Sequence, residues 1–483
     1  MERDRNTYSS ILHAIALFGG VRIFQIIISI VRSKAIAILI GPVGMGITGL
    51  YTSTIEMIGT IVGLGLNTSG VKEISNSFAR DNQEEIGKTI SVIRKIVIFT
   101  GIVGALLTFL FAPYLSIWTF GSDVYTSGFR ALSIVILFNE LNVGQITLLQ
   151  GTFNYRYLAK STLYGNLIGL IITLPLYYSF GVEAIVPSLV IASALTLSYS
   201  FLYSRRIHYK KISISVTEAI GQGKPMILLG ISLVISGFVT TLSSYLLRIV
   251  ISHYGTVSDL GLYTAGMSLT TMYVMTILSS MGTDYAPRLA ACLNDKEMTD
   301  VINKQAILLL TIVTPLIILF LSFCHEAILI LYTSEFLPMQ GMLYWVMLGM
   351  FFRTFSWSMS YSLVAHGDTK MFLINEIIMS VLSFVMSSVG FIYYSIIGMG
   401  MAFCFVYVIY TIMIFFTIRH TIHFEFSIEG RKYIFTYICF VSLSFSLLYT
   451  FDKGVIHYLI GAFLSIISIL YTYQKLRFMI KRK

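Results

Sequence analysis

The feature that most constrains this chain is a succession of apolar stretches, each about 20 residues long, some of which carry cations in their interiors. A stretch of that length spans a hydrocarbon core about 30 Å thick. Fourteen can be read, at about 12–38, 43–67, 90–112, 129–150, 157–179 and 183–204, then 226–253, 258–284, 304–324, 341–364, 371–394 and 396–418, and lastly 432–450 and 455–474. Arg22, Arg32, Lys34, Arg248 and Arg353 fall inside them. A cation at the bilayer centre costs about 2.5–3.5 kcal/mol on insertion scales, so such residues normally face a bundle interior or a wet cavity. Several of them in one bundle suggest a path for something anionic.

A soluble domain is excluded by 56% hydrophobic and 12% charged residues. The first span is too long for a signal peptide and lacks a cleavage pattern after it. Most of the 33 Lys and Arg fall in alternate connections that include both termini, among them Arg205, Arg206, Lys210, Lys211 and the closing Lys481, Arg482 and Lys483. Lys453 alone lies in the opposite set. Positive residues stay cytoplasmic, so both termini are expected inside, which an even number of spans permits. The net charge of +10 then reflects topology, with anionic membrane lipids as its contact. Nucleic-acid binding would need a basic folded module, and none is present. The four cysteines (Cys292, Cys324, Cys404, Cys439) lack CxxC or metal-ligand spacing and read as small hydrophobes. No metal or cofactor is expected, and a metal role for His366-Gly367-Asp368 is disfavoured.

The chain also repeats itself. Residues 49–85 laid over 261–297 without a gap share ten of 37 positions, beginning with Gly49-Leu50-Tyr51-Thr52 over Gly261-Leu262-Tyr263-Thr264. Both copies start at an outer loop and end in a charged cytoplasmic segment, so the repeats are parallel, as in one class of transporter. The expected organisation is a six-span lobe (1–204), a basic cytoplasmic linker (205–224), a second six-span lobe (225–420), and an extra helix pair with a basic tail (421–483). Charged stretches 72–95 and 288–304 read as amphipathic surface helices. Gly221-Gln222-Gly223-Lys224 lacks the frame of a phosphate loop.

At 100° per residue, Arg22, Gln25, Ser29, Arg32 and Ser33 share one face of the first span, with Arg22 and Arg32 about 15 Å apart along it. Lys34 points elsewhere, toward the headgroups. The seventh span aligns Gly237, Thr241, Ser244, Arg248 and Ser252, and the tenth aligns Arg353, Ser356, Trp357 and Ser360. For each arginine, lining a cavity competes with a buried ion pair or a tie to a helix carbonyl. The intramembrane acids Glu56, Glu140 and Glu376 admit charge balance or coupling-ion binding. Glu56 shares a face with Thr52, Gly59, Thr60, Gly63 and Asn67, and Asp284 with Arg288 forms a local i, i+4 pair.

Ile38-Leu39-Ile40-Gly41-Pro42-Val43-Gly44-Met45-Gly46, then Gly63-Leu64-Gly65 and Gly70-Val71-Lys72, resemble the polysaccharide flippases that translocate O-antigen and related lipid-linked oligosaccharides. A second matching region runs from Ser334-Glu335-Phe336 through Trp345, Gly349, Arg353, Trp357 and Tyr361 to Ala365-His366-Gly367, Lys370-Met371-Phe372 and Glu376. The superfamily also holds lipid II flippases and multidrug/cation antiporters. The resemblance implies an all-α polytopic membrane protein with two pseudo-symmetric six-helix lobes around a cationic cavity, plus a C-terminal helix pair, about fourteen helices in all. It implies a flippase in a bacterial inner membrane, not an enzyme, working without a cofactor. The cargo would be an undecaprenyl-diphosphate-linked glycan. Polysaccharide-assembly proteins are the implied partners of a monomer. Arg32 matches by motif position a diphosphate-serving arginine of the lipid II branch, and Arg22, Arg248 and Arg353 complete the expected cationic set. A multidrug/cation antiporter or a lipid II flippase is the alternative, and an acid-dominated cavity would favour the antiporter.

Overall fold

The computed structural model describes the backbone of residues 2–80, 83–210, 212–451 and 454–481, and not the side chains of residues 1–23, 83, 478–483 and a few within the eighth and ninth helices. The side chains of Arg22, Lys211, Lys453, Lys481, Arg482 and Lys483 therefore lie outside the described residues. About 90% of the protein is helical, with no strand among the described residues. The order is α1 (Glu2–Val62), α2 (Leu66–Ala79), α3 (Gln83–Leu110), α4 (Ala112–Phe120), α5 (Thr126–Gly151), α6 (Tyr155–Phe180), α7 (Ile185–Ser204), α8 (Val216–Tyr254), α9 (Val257–Ala290), α10 (Asp295–Ser322), α11 (Cys324–Leu331), α12 (Gln340–His366), α13 (Thr369–Thr421), α14 (Ile428–Thr450) and α15 (Val455–Lys481). Short 3₁₀ turns sit at Gly181–Ala184 and Ser334–Met339.

Eight stretches among the described residues are long and apolar enough to cross a membrane. Phe24–Val62, Tyr155–Ser204 and Thr369–Thr421 run to 39, 50 and 53 residues, about twice the length of one crossing. Each has a break near its middle. In α1 it is Gly41, at φ 63° and ψ −167°, a conformation that glycine takes without steric cost, and Pro42 behind it removes a backbone donor. In α13 it is Ser395, at φ 52°, where Gly390 and Gly398 bring the two arms so close that a Cβ on either would strike the other's carbonyl. Each break falls where adjacent apolar spans had been separated.

Contacts divide the chain into two compact units, Met1–Gly261 and Leu262–Lys483. In unit 1, α2, α3, α5 and the start of α8 share a core of Leu66, Ile74, Ile90, Ile93, Leu148 and Met226. The segment after α7 is strapped to α3: Ser91 Oγ donates to the Ile212 carbonyl at 2.6 Å, and Ile214 enters the same core. Ser215 then caps α8, its side chain accepting from Glu218 N at 3.1 Å, so α8 begins within the stretch expected to be linker. Gly221–Lys224 is helical, with Gly223 against Ile96 and Val92, which leaves no phosphate loop.

In unit 2, α10 is the central post, packed by α12, α14 and α15. Thr311 and Tyr437 share a 2.7 Å hydroxyl hydrogen bond, His457 Nε2 lies 2.9 Å from the Ser322 carbonyl, and Thr472 donates to the Thr311 carbonyl at 3.0 Å. The C-terminal pair is thus tied into its unit by hydrogen bonds in a medium that offers no water to replace them. The two charged stretches are not single surface helices. Residues 72–79 close α2 and residues 83–95 open α3. The other stretch breaks at Asn294, which caps α10 by accepting from Glu297 N at 2.9 Å while Glu297 accepts from Leu293 N at 3.0 Å.

Candidate functional site

Arg32 lies on the first arm of α1, half-buried, facing α6. Gly169 makes room for it: the guanidinium comes within 3.9 Å of where a side chain at that position would begin. Tyr177, two turns further along α6 and itself buried, is its electrostatic neighbour. Lys34 is exposed, as its place off the polar face requires. On α8, Arg248 Nη1 donates to the Ser244 carbonyl and to Ser244 Oγ, at 3.2 and 2.5 Å, while its Nε is buried without a partner. This is the tie to a helix carbonyl weighed from sequence, and it satisfies only part of the guanidinium.

Glu140 on α5 is the most enclosed acid of unit 1, 3% exposed. Gly59 of α1, Gly63 in the turn just after it and Gly101 of α3 wall it in: a Cβ at Gly63 would sit 3.5 Å from Oε1, and one at Gly101 3.2 Å from the Glu140 Cβ. Its Oε2 has no hydrogen-bond partner. The glycine face that sequence reasoning gave to Glu56 thus receives Glu140, and Glu56 itself is exposed. Sequence spacing within α1 shows which residues share a face but not what a neighbouring helix brings to it.

Unit 2 builds a connected arrangement. Arg353 of α12 lies over the ring of Tyr407 on α13, 5.4 Å from its centroid, a contact worth about 0.5–2 kcal/mol. One turn along, Tyr410 donates to Glu376 Oε1 at 2.7 Å. Both Arg353 and Glu376 act electrostatically on Tyr407, so α13 folds back on itself to carry an acid and a cation-facing ring in one cluster. Tyr407 and Tyr410 were not anticipated, although their i, i+3 spacing within an apolar span is a visible signal. Among the described residues, no carboxylate lies within ion-pair distance of Arg32, Arg248 or Arg353. Asp284 and Arg288 pair locally at 2.8 Å, as expected, both exposed. Asp295 and Asp368 lie 3.8 and 3.2 Å from His366, but no group of three metal-binding side chains occurs among the described residues.

The family model described as polysaccharide biosynthesis protein matches residues 35–340. The chain belongs to this family. A protein of Shigella flexneri named as an O-antigen transporter is 24% identical over 340 residues, covering 68% of this chain and 79% of its own. The lipid III flippase of Escherichia coli (strain K12) is 20% identical over 353 residues, covering 71% and 82%. Among solved structures, a lipid II flippase in an inward closed conformation superposes with a TM-score of 0.71 at 16% identity, covering 96% of this chain and 99% of that one. An inward-facing multidrug resistance MATE family transporter of the MOP superfamily gives 0.70 at 14% identity, covering 82% and 94%. At these identities the structural likeness shows the fold. As a member of the polysaccharide biosynthesis protein family, with several helices suited to crossing a bilayer, the chain is a multi-pass membrane transporter and not an enzyme.

Proposed function

We propose that this protein is a flippase moving an undecaprenyl-diphosphate-linked oligosaccharide, such as an O-antigen repeat unit, from the cytoplasmic to the outer leaflet of a bacterial inner membrane by alternating access. The observation that carries the reading is Arg32: a half-buried guanidinium in an apolar helix, given room by Gly169, with no carboxylate among the described residues to neutralise it. Arginine's planar fork pairs with phosphate oxygens through charge-assisted hydrogen bonds, so a diphosphate supplies the missing anion. Arg248 and Arg353, each with donors not engaged by an acid among the described residues, serve as further stations, and Arg22 joins the set by its spacing from Arg32 in the sequence. The names of the transporter and flippase relatives support this class of cargo.

The proposed topology has fourteen crossings with both termini inside, arranged as lobes 1–204 and 225–420 joined by 205–224 and followed by 421–483. With the inside negative, each anionic charge carried outward gains about 2.3 kcal/mol per 100 mV, so the membrane potential favours export of a diphosphate. Glu140 is the acid best placed for coupling, since its free oxygen is buried; Glu376 is engaged by Tyr410, and Glu56 is left for charge balance. A lipid II substrate is the second reading, favoured by a match that reaches 96% of the chain with the C-terminal helix pair included. Proteoliposomes loaded with fluorescent diphosphate lipids bearing either glycan test both: transport of the oligosaccharide lipid alone supports the first reading, and transport of lipid II alone the second.

A further inference from the structure

At the end of unit 1 where α1 breaks, the α4–α5 connection and the turn between α6 and α7 enclose a cavity of about 350 Å³. This is within the range of small-molecule sites, about 300–1,000 Å³. Half of its ten wall residues are aliphatic, and the other five are Tyr51, Tyr125, Ser127, Gly128 and Glu183. Tyr51 is 3% exposed and held by edge contacts to Phe129 and a tilted contact to Phe120, at centroid distances of 5.2 and 5.3 Å. Phe120 in turn stacks on Tyr125 at 4.0 Å. The Tyr51 hydroxyl lies against Gly128, where any Cβ would collide with it, and has no hydrogen-bond partner among the described residues. The Glu183 carboxylate is exposed and has no partner among the described residues, and it is the single charged group in the wall.

We infer that this cavity is a glycan station that holds one pyranose of the cargo, an inference that rests on the flippase reading. A pyranose presents an apolar C–H face and a rim of hydroxyls. The Tyr125 ring and the aliphatic wall suit the face; Tyr51, Ser127 and Glu183 offer the rim both donors and acceptors. The diphosphate does not belong here, because the wall holds no cation and its one charge repels an anion. Under the proposed topology this end of unit 1 is the outer one, so the sugar is held where the cargo leaves while the diphosphate is handled by the arginines.

The test is saturation-transfer NMR on the full chain in lipid nanodiscs, with a panel of methyl pyranosides of glucose, galactose, mannose, rhamnose and N-acetylglucosamine. At least one pyranoside binds the wild type. Tyr51→Phe, which keeps the ring packing, and Glu183→Ala, at an exposed position, each weaken it by roughly fivefold. Inorganic pyrophosphate does not compete. No binding by any pyranoside, equal binding by both variants, or displacement by pyrophosphate overturns the inference. Pyrophosphate binding to wild type and Arg32→Gln, read in the same nanodiscs, separates the two ideas. If it is retained by wild type and lost in the variant while the sugars fail, only the glycan station falls. If the sugars bind as stated but pyrophosphate is indifferent to Arg32, the diphosphate reading falls.

Discussion

Glu140 and Glu376 are the same residue type in comparable settings, and the two units treat them in opposite ways. In unit 2, Glu376 accepts from Tyr410, and Arg353 reaches the same cluster through the face of Tyr407. In unit 1, Glu140 has a glycine-lined cradle and an oxygen with no partner. A buried polar group without a hydrogen bond costs about 1–3 kcal/mol on protein mutational scales. Unit 2 thus satisfies its acid with the Tyr410 hydroxyl, and unit 1 leaves an oxygen of its acid without a partner. On the proposed reading, Glu376 is the acid held by Tyr410 and Glu140 the one available to exchange a proton or cation.

Five substitutions break or sharpen that contrast, each read as thermal stability of the purified protein in detergent. Gly101→Leu has the largest effect, because its side chain must enter the space held by Glu140 Cβ and Leu137; a loss of about 3 kcal/mol is expected. Gly237→Leu on α8, where nothing lies within 4 Å, is its neutral control. Tyr410→Phe removes the donor to Glu376 and costs about 2 kcal/mol; an unchanged melting temperature would show that the bond does not hold the cluster. Glu140→Leu runs the other way, stabilising the protein by about 1 kcal/mol, since an unpartnered oxygen is replaced by methyl groups. Destabilisation there would mean that Glu140 has a partner after all. Arg288→Ala, which breaks only the exposed pair with Asp284, changes stability by at most about 0.5 kcal/mol.

Local and periodic features were legible in the sequence. The Gly41-Pro42 break, the separate arms of α13 and the Asp284–Arg288 pair all follow from residue type and helical spacing. Charge runs misled where a helix cap interrupted them, as at Asn294, because a cap depends on one side chain and a hydropathy window averages over many. What joins one helix to another was not legible. Gly169 clears space for Arg32 across a helix interface, Gly59 and Gly63 receive Glu140 where Glu56 was expected, and Tyr407 lies under Arg353. A single sequence shows which residues share a face and leaves open what that face meets. The cavity beside Tyr51 has the same origin, since α1, the α4–α5 connection and the turn between α6 and α7, distant in sequence, converge to form it.

The measurement that bears most directly on the central claim is translocation of a fluorescent diphosphate-linked oligosaccharide across proteoliposomes by wild type and Arg32→Gln. Transport by the wild type, accelerated by an inside-negative potential and lost in the variant at equal reconstitution, is the predicted result. Undiminished transport by Arg32→Gln would contradict it, because the half-buried guanidinium would then have no part in carrying the anion.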